Sequence, residues 1–312
     1  MKVVFMGTPD FAVPCLDMLI KEHEVVAVFT QPDKPKGRGK KVQMTPVKEL
    51  AVEHDIPVYQ PVRIKKGDSA DILREMNPDI IIVIAYGQLL SQEILDIPKH
   101  GCVNVHASLL PAYRGSAPIN WAIVNGETKS GVTTMFMDIG MDTGDMILKD
   151  EVEITETTTA GELYAELMTL GGKTLKNTMD MIEAGTAPRE KQDDALACHA
   201  PPMNKEMSVI DWSKTAKEIN CLIRGFNPWP VAISSYTGLK MKVFKSTVLG
   251  EVKKGNPGEV VAVSKEGIDV MTGDGILRLE EIQFPNKKRM TVSQYILGND
   301  VKTGVVLGDE NE

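Results

Sequence analysis

Residues 79–85 read Asp-Ile-Ile-Ile-Val-Ile-Ala. An aliphatic run with no polar alternation does not suit a strand with one wet face, where every second side chain meets solvent. It predicts a strand covered on both faces, and such strands belong to parallel sheets with helices on either side. The flanking segments agree. Lys2–Met6 and Val25–Thr30 are expected as strands, and Pro9–Ile20, Pro46–His54 and Ser69–Met76 as helices, with Pro57–Tyr59 a short extended piece. This βαβα rhythm implies an α/β fold with a mostly parallel sheet. Farther on, Ile119–Val124 and Ala160–Ile182 are expected as helices, and Val132–Met137 and Met146–Ile154 as strands.

From Gly185 to Met203 the pattern fails, and the Pro-rich wording reads as a crossing linker. A helix is then expected over Ala216–Arg224. Short strands follow at Ala232–Ser235, Lys240–Lys245, Gly258–Ser264, Gly267–Thr272 and Ile276–Gln283. Such spacing suggests a small β-barrel. The expected organisation is therefore a first domain over 1–184, a linker over 185–204 and a second domain over 205–312.

Apolar residues make up 42% of the 312 and charged residues 25%, as in ordinary globular chains. The longest apolar run, Ile80–Tyr86, is too short to span a bilayer, so no membrane partner is expected. The first residues run straight into a strand and a turn, with no signal-like wording. Cys15, Cys102, Cys198 and Cys221 are scattered, which suits a cytoplasmic, reducing location without disulfides or structural zinc. The net charge of -8 argues mildly against a nucleic-acid partner for the chain as a whole. The imbalance sits in residues 1–204, with 20 Lys+Arg against 29 Asp+Glu, whereas 205–312 hold 15 against 14. Local basic patches can still bind a polyanion.

The chemistry concentrates in residues 104–121. Asn104 and His106 are two apart, so on an extended backbone both side chains share a face. An amide donor beside an imidazole can steady an oxyanion and move a proton, as acyl transfer requires. The competing reading of His106 is a satisfied buried histidine. A metal site would have to enlist His100 and Cys102, and no second ligand pair has the usual spacing, so no metal is expected. A carboxylate could orient the ring. Asp138, Asp142 and Asp145 lie together in a glycine-rich turn, where Asp commonly bonds its own backbone, and spacing does not choose among them. Ser108-Leu109-Leu110-Pro111 is either the exit of a strand or one wall of a slot for a flat heterocycle. Gly7-Thr8-Pro9 and Gly37-Arg38-Gly39 both lack the dinucleotide fingerprint, which disfavours an NAD-linked oxidoreductase. The segment Gln31–Gln43 carries Lys34, Lys36, Arg38, Lys40 and Lys41 against a single acid, Asp33. That is a solvated loop or a phosphate-backbone contact.

Taken together, these motifs resemble the methionyl-tRNA formyltransferases, a branch of the folate-dependent formyltransferase family, along nearly the whole chain. The carriers are Phe5–Phe11, Gln31-Pro32-Asp33 with the Gly37–Lys40 loop, Asn104–Pro111, Tyr113–Ile119, Met141–Met146, Ile210–Trp212, Phe226–Pro230 and Thr272–Gly275. The resemblance implies a Rossmann-like first domain and a C-terminal, OB-like barrel that binds tRNA. It implies formyl transfer from 10-formyltetrahydrofolate, as donor co-substrate, to methionyl initiator tRNA, by a monomeric enzyme. By the family pattern Asn104, His106 and Asp142 are catalytic, and Ser108, Leu109, Leu110 and Pro111 are the folate stretch. Arg38 matches a tRNA-contacting position, with Lys40 and Lys41 beside it. The nearest alternative within the family is an enzyme acting on an amino sugar nucleotide, against which the basic loop speaks. A non-catalytic RNA-binding protein is disfavoured by the intact Asn-x-His pair. The wording Cys198-His199-Ala200-Pro201-Pro202-Met203 departs from the commoner family text, which has a tyrosine near His199.

Overall fold

The computed structural model describes residues 1–36, 41–250 and 255–308, with Lys36 and Lys41 described through their backbone alone. By proximity the chain divides into two compact units. The first gathers Met1–Pro118, Lys129–Glu153 and Tyr164–Ala200, and the second Ile119–Thr128, Ile154–Leu163 and the residues from Pro201 on.

Chain order begins with β1 (Lys2–Gly7), α1 (Val13–Glu22), β2 (Glu24–Phe29), β3 (Lys34–Lys36), β4 (Lys41–Gln43), α2 (Pro46–Glu53) and β5 (Val58–Tyr59). It continues with α3 (Ser69–Met76), β6 (Ile80–Ile84), α4 (Gln92–Leu95), β7 (Cys102–His106), β8 (Arg114–Gly115) and α5 (Pro118–Val124). Then come β9 (Lys129–Phe136), β10 (Met146–Glu153), α6 (Ala160–Glu183) and β11 (His199–Ala200). Seven strands form one sheet in the order β10-β9-β7-β6-β1-β2-β5. The five from β7 to β5 are parallel, while β9 runs against β7 and β10 against β9. The expected mostly parallel sheet is therefore present.

β6 is buried along its whole length, as its aliphatic run requires. It pairs with β1 on one side and β7 on the other. Full burial of each such side chain is worth roughly 1.5–3 kcal/mol, so β6 anchors the sheet. Helix ends follow local chemistry. Thr45 caps α2 by accepting from the Lys48 amide at 3.2 Å, with Pro46 in the first helical turn. α3 closes on Asn77 in the left-handed region, φ 46°. The first helix begins later than Pro9: a single 3-10 turn covers Asp10–Ala12, and α1 starts at Val13. A helix from Pro9 would need an N–H on Pro14 to reach the Asp10 carbonyl, and proline has none.

Residues 185–204, read from their prolines as a crossing segment, carry backbone pairing of their own. Glu190 and Met146 exchange both backbone hydrogen bonds, at 2.8 and 3.0 Å, and β11 pairs in parallel with β8.

The second unit holds α7 (Ala216–Gly225), β12 (Ala232–Tyr236), β13 (Leu239–Val248), β14 (Val260–Val263), β15 (Ile268–Met271), β16 (Ile276–Gln283), β17 (Met290–Thr291) and α8 (Val292–Tyr295). Its strands form an antiparallel sheet ordered β12-β13-β16-β15-β14, with β17 beside β16. Ala216, Ile219 and Ile223 put one stripe of α7 into the core with Trp212, Met241, Val243 and Leu279. The helix opens with a full capping box between Thr215 and Glu218. No helix among the described residues is long and apolar enough to cross a membrane.

Among the described residues, the Tyr86 hydroxyl is the one buried side-chain polar atom without a hydrogen-bond partner. It lies in the apolar cluster of Val4, Met6, Phe29, Leu73 and Val83, and burial pushes its phenol pKa upward. Leaving such a group unpaired costs about 1–3 kcal/mol. Tyr86→Phe should therefore leave the thermal midpoint unchanged or raise it, and a clear fall on thermal denaturation would reveal a partner for that hydroxyl.

Candidate active site

β7 carries the first two groups. Asn104 pairs in register with Met135 of β9, and His106 with Thr133, so both side chains emerge on one face near the carboxyl end of the strand. Ligands of open α/β sheets bind at that edge. The third group arrives from the turn between β9 and β10. Asp142 adopts a left-handed backbone, φ 56°, which brings its carboxylate back over β7. The turn can be this tight because Gly144 presses on Phe136: a Cβ there would lie 1.7 Å from the Phe136 carbonyl oxygen.

The three groups meet. Asn104 Nδ2 donates to Asp142 Oδ1 at 3.2 Å, and Asp142 Oδ2 lies 3.7 Å from His106 Nδ1. Oδ2 also accepts the Gly115 amide at 2.9 Å. The His106 side chain is 6% exposed and that of Asp142 15%, so the cluster is sheltered yet reachable from solvent. This geometry separates the three aspartates. Asp138 Oδ1 is spent on its own turn, accepting from the Gly140 amide at 3.0 Å and the Thr143 hydroxyl at 2.6 Å. Asp145 faces Arg189 at 3.8 Å. Asp142 alone of the three contacts Asn104 and His106.

The other ring nitrogen is committed. His106 Nε2 donates to the Tyr113 carbonyl at 2.9 Å. A carbonyl oxygen only accepts, so Nε2 carries the hydrogen in either charge state of the ring. Any proton exchange with a ligand therefore runs through Nδ1, the nitrogen facing Asp142. Asn104 Nδ2 has two hydrogens, and Asp142 takes one. The cluster thus offers one amide N–H and one proton-exchanging imidazole nitrogen, both aligned by a single carboxylate. That is equipment for stabilising an oxyanion while moving a proton.

Comparison with known proteins identifies the family. Residues 1–179 match the model of the formyl transferase family, and residues 202–300 that of its C-terminal domain. The chain belongs to the formyl transferase family. A methionyl-tRNA formyltransferase of Clostridioides difficile (strain 630) is 58% identical over 309 residues, 99% of this chain and 100% of the relative. Another, of Clostridium perfringens (strain SM101 / Type A), is 56% identical across 98% of this chain and 100% of its own. A solved N-formyltransferase of Helicobacter canadensis, in complex with folinic acid and dTDP-3-aminofucose, aligns with a TM-score of 0.69 over 89% of this chain and 98% of its own. At 23% identity it shares the fold.

Within this formyl transferase the Ser108–Pro111 segment leaves β7 in an ordered turn. The Ser108 hydroxyl donates to the Ala112 carbonyl at 2.7 Å, and Thr133 Oγ1 joins the Ser108 carbonyl to the Leu110 amide, at 2.7 and 3.1 Å. Leu110 is buried against Met135 and Met146, while Leu109 and Pro111 remain partly exposed. The apolar surface this turn offers a ligand is thus that of Leu109 and Pro111. Arg38 and Lys40 lie outside the described residues, and Lys41 contributes its backbone to β4, paired with β3. Among the described residues no group of three or more His, Cys, Asp or Glu is placed to hold a metal ion.

Sequence reasoning assigned no role to Tyr113, Gly115 or Gln192. The first two act through backbone atoms, which side-chain logic does not see, although Tyr113-Arg114-Gly115 stands among the motifs. Gly115 is held by two constraints at once. Its φ is 122°, and a Cβ there would lie 2.7 Å from the Ala200 carbonyl oxygen. Gly115→Ala should lower the unfolding free energy by about 1–3 kcal/mol in denaturant titrations, as strained backbone does. Ser116→Ala, at the exposed neighbouring position, should leave it unchanged.

Proposed function

We propose that this formyl transferase moves the formyl group of 10-formyltetrahydrofolate onto the α-amino group of methionyl initiator tRNA, supplying the formylated starter of translation. The reading rests on one observation: Asn104, His106 and Asp142 converge at the carboxyl edge of β7. It is supported by the methionyl-tRNA formyltransferases that are 58% and 56% identical over nearly the whole chain.

When bound, the donor supplies an electrophilic formyl carbon attached to N10. The chain's own groups do the rest. The free N–H of Asn104 donates to the formyl oxygen as negative charge builds there. His106 takes the proton of the attacking amine on Nδ1, with its other nitrogen already fixed to Tyr113. Asp142 stabilises the resulting imidazolium at short range and holds the Asn104 amide in line. The same Nδ1 then returns the proton to the departing nitrogen, so atoms and charge balance without a covalent enzyme intermediate. Leu109 and Pro111 offer an apolar edge that fits one face of a pterin, and backbone groups of the 108–111 turn lie beside it. In this reading residues 1–184 carry the chemistry, 205–312 bind tRNA, and Arg38, Lys40 and Lys41 meet phosphates near the acceptor end.

Offering labelled 10-formyltetrahydrofolate to charged initiator tRNA, uncharged tRNA and amino sugar nucleotides in parallel tests the assignment. Label should enter the charged tRNA alone, and transfer to a sugar nucleotide instead would replace the proposed acceptor. Asn104→Ala should lower kcat by ~10²–10³ while donor binding stays close to normal. A loss confined to donor affinity would remove Asn104 from the oxyanion role. Arg38→Ala should weaken use of charged tRNA most at low salt, the deficit shrinking as salt rises, because one counterion-releasing contact is gone. Parallel salt curves for the two proteins would return that loop to a solvated surface.

A further inference from the structure

The 190–200 segment, expected as a linker, grips both halves of the site. Gln192 stands at the centre of that grip. Its Nε2 donates to the Asp142 carbonyl at 2.8 Å and to the Gly144 carbonyl at 2.8 Å, and its Oε1 accepts from Arg114 Nε at 3.0 Å. One amide thereby joins the turn that presents Asp142 to the strand β8. That strand's neighbourhood supplies the other two fixed contacts of the site, the Tyr113 carbonyl on His106 and the Gly115 amide on Asp142. We propose that Gln192 is a positioning residue for formyl transfer, setting the Asp142 carboxylate against Asn104 and His106. This rests on the function proposed above.

The bonding pattern makes the residue specific for the task. Both hydrogens of the amide nitrogen are consumed by carbonyls, and its oxygen by a guanidinium N–H, so a side chain with two donors and an acceptor is required. A carboxylate has no hydrogen to donate and would face two carbonyl oxygens. An aliphatic side chain of the same length would fill the space and make none of the bonds. The segment also does not depend on Gln192 for its own placement. Upstream, Glu190 exchanges two backbone bonds with Met146. Downstream, Cys198 accepts the Arg114 amide on its carbonyl and the Tyr113 amide on its sulfur, at 2.9 and 3.1 Å, and β11 pairs with β8. Arg114 keeps a second partner in Asp194 at 2.8 Å. Removing the Gln192 amide therefore frees the Asp142 turn while leaving the segment anchored at both ends.

The test is steady-state kinetics of Gln192→Met and Gln192→Glu with 10-formyltetrahydrofolate and charged initiator tRNA, beside thermal denaturation. Displacing a catalytic group by a fraction of an ångström to an ångström costs about 10–100-fold in rate. Both variants should lose that much kcat, Gln192→Glu at least as much as Gln192→Met. KM for both substrates should stay within about twofold, since no bond to substrate is removed. On an Asp142→Asn background, Gln192→Met should cost nothing more, because the group it positions is already disabled. Retained kcat in Gln192→Met overturns the inference. So does a loss that multiplies fully with that of Asp142→Asn, or one that falls in KM, or one that merely tracks a lowered thermal midpoint. Wild-type protein that fails to formylate charged tRNA overturns the proposed function instead, so the two failures are distinguishable.

Discussion

One carboxylate organises the site. Asp142 receives an amide and the edge of an imidazole from β7 and a backbone N–H from β8, so two separate stretches of chain converge on it from a third. Each contact is ordinary alone. Together they turn a strand pair, a turn and a strap into one fixed arrangement in a sheltered place, where charge–dipole contacts act more strongly than in water. Without that anion the Asn104 amide loses the partner that aims it, and His106 loses the carboxylate 3.7 Å from its Nδ1.

The sheet makes that arrangement possible. β6, buried throughout, fixes β7 beside it, and β7 delivers two side chains to one face by the alternation of an extended backbone. The antiparallel pair β9–β10 then does what a crossover helix would not. It reverses through residues 137–145, and its left-handed Asp142 reaches back to β7, the strand beside β9 in the sheet. Parallel pairing builds the platform and antiparallel pairing returns the carboxylate to it.

Much of this was legible in the residues. The unbroken aliphatic run of 80–84 has one stable home. Ser69–Met76 was bounded correctly because Asn77 closes it, and the Asn104/His106 spacing needed only an extended backbone to become a pair. The choice among Asp138, Asp142 and Asp145 was not legible, because all three are the same residue in one turn. Spacing along the chain carries no record of a left-handed kink. The short elements were hidden too. The β3–β4 pair, α4, β8, β11 and α8 are too brief to show a period, and the pairing of β8 with β11 is non-local. Gln192 sat in wording rich in proline and acid that marks loops, and what it does depends on two carbonyls about fifty residues upstream. The first helix was placed early because Pro9 looks like a helix start, while the missing N–H of Pro14 forces a 3-10 turn first.

The bond from His106 Nε2 to the Tyr113 carbonyl has a consequence for the order of events. An imidazole free at both nitrogens can act as a relay, collecting on one side and delivering on the other. This ring is tethered at one corner, so collection and delivery must use the same lone pair. In the proposed reaction the nitrogen that gives up the proton and the nitrogen that receives it would meet the ring at that one point, one after the other. A backbone oxygen thereby sets which corner of the ring is left to work.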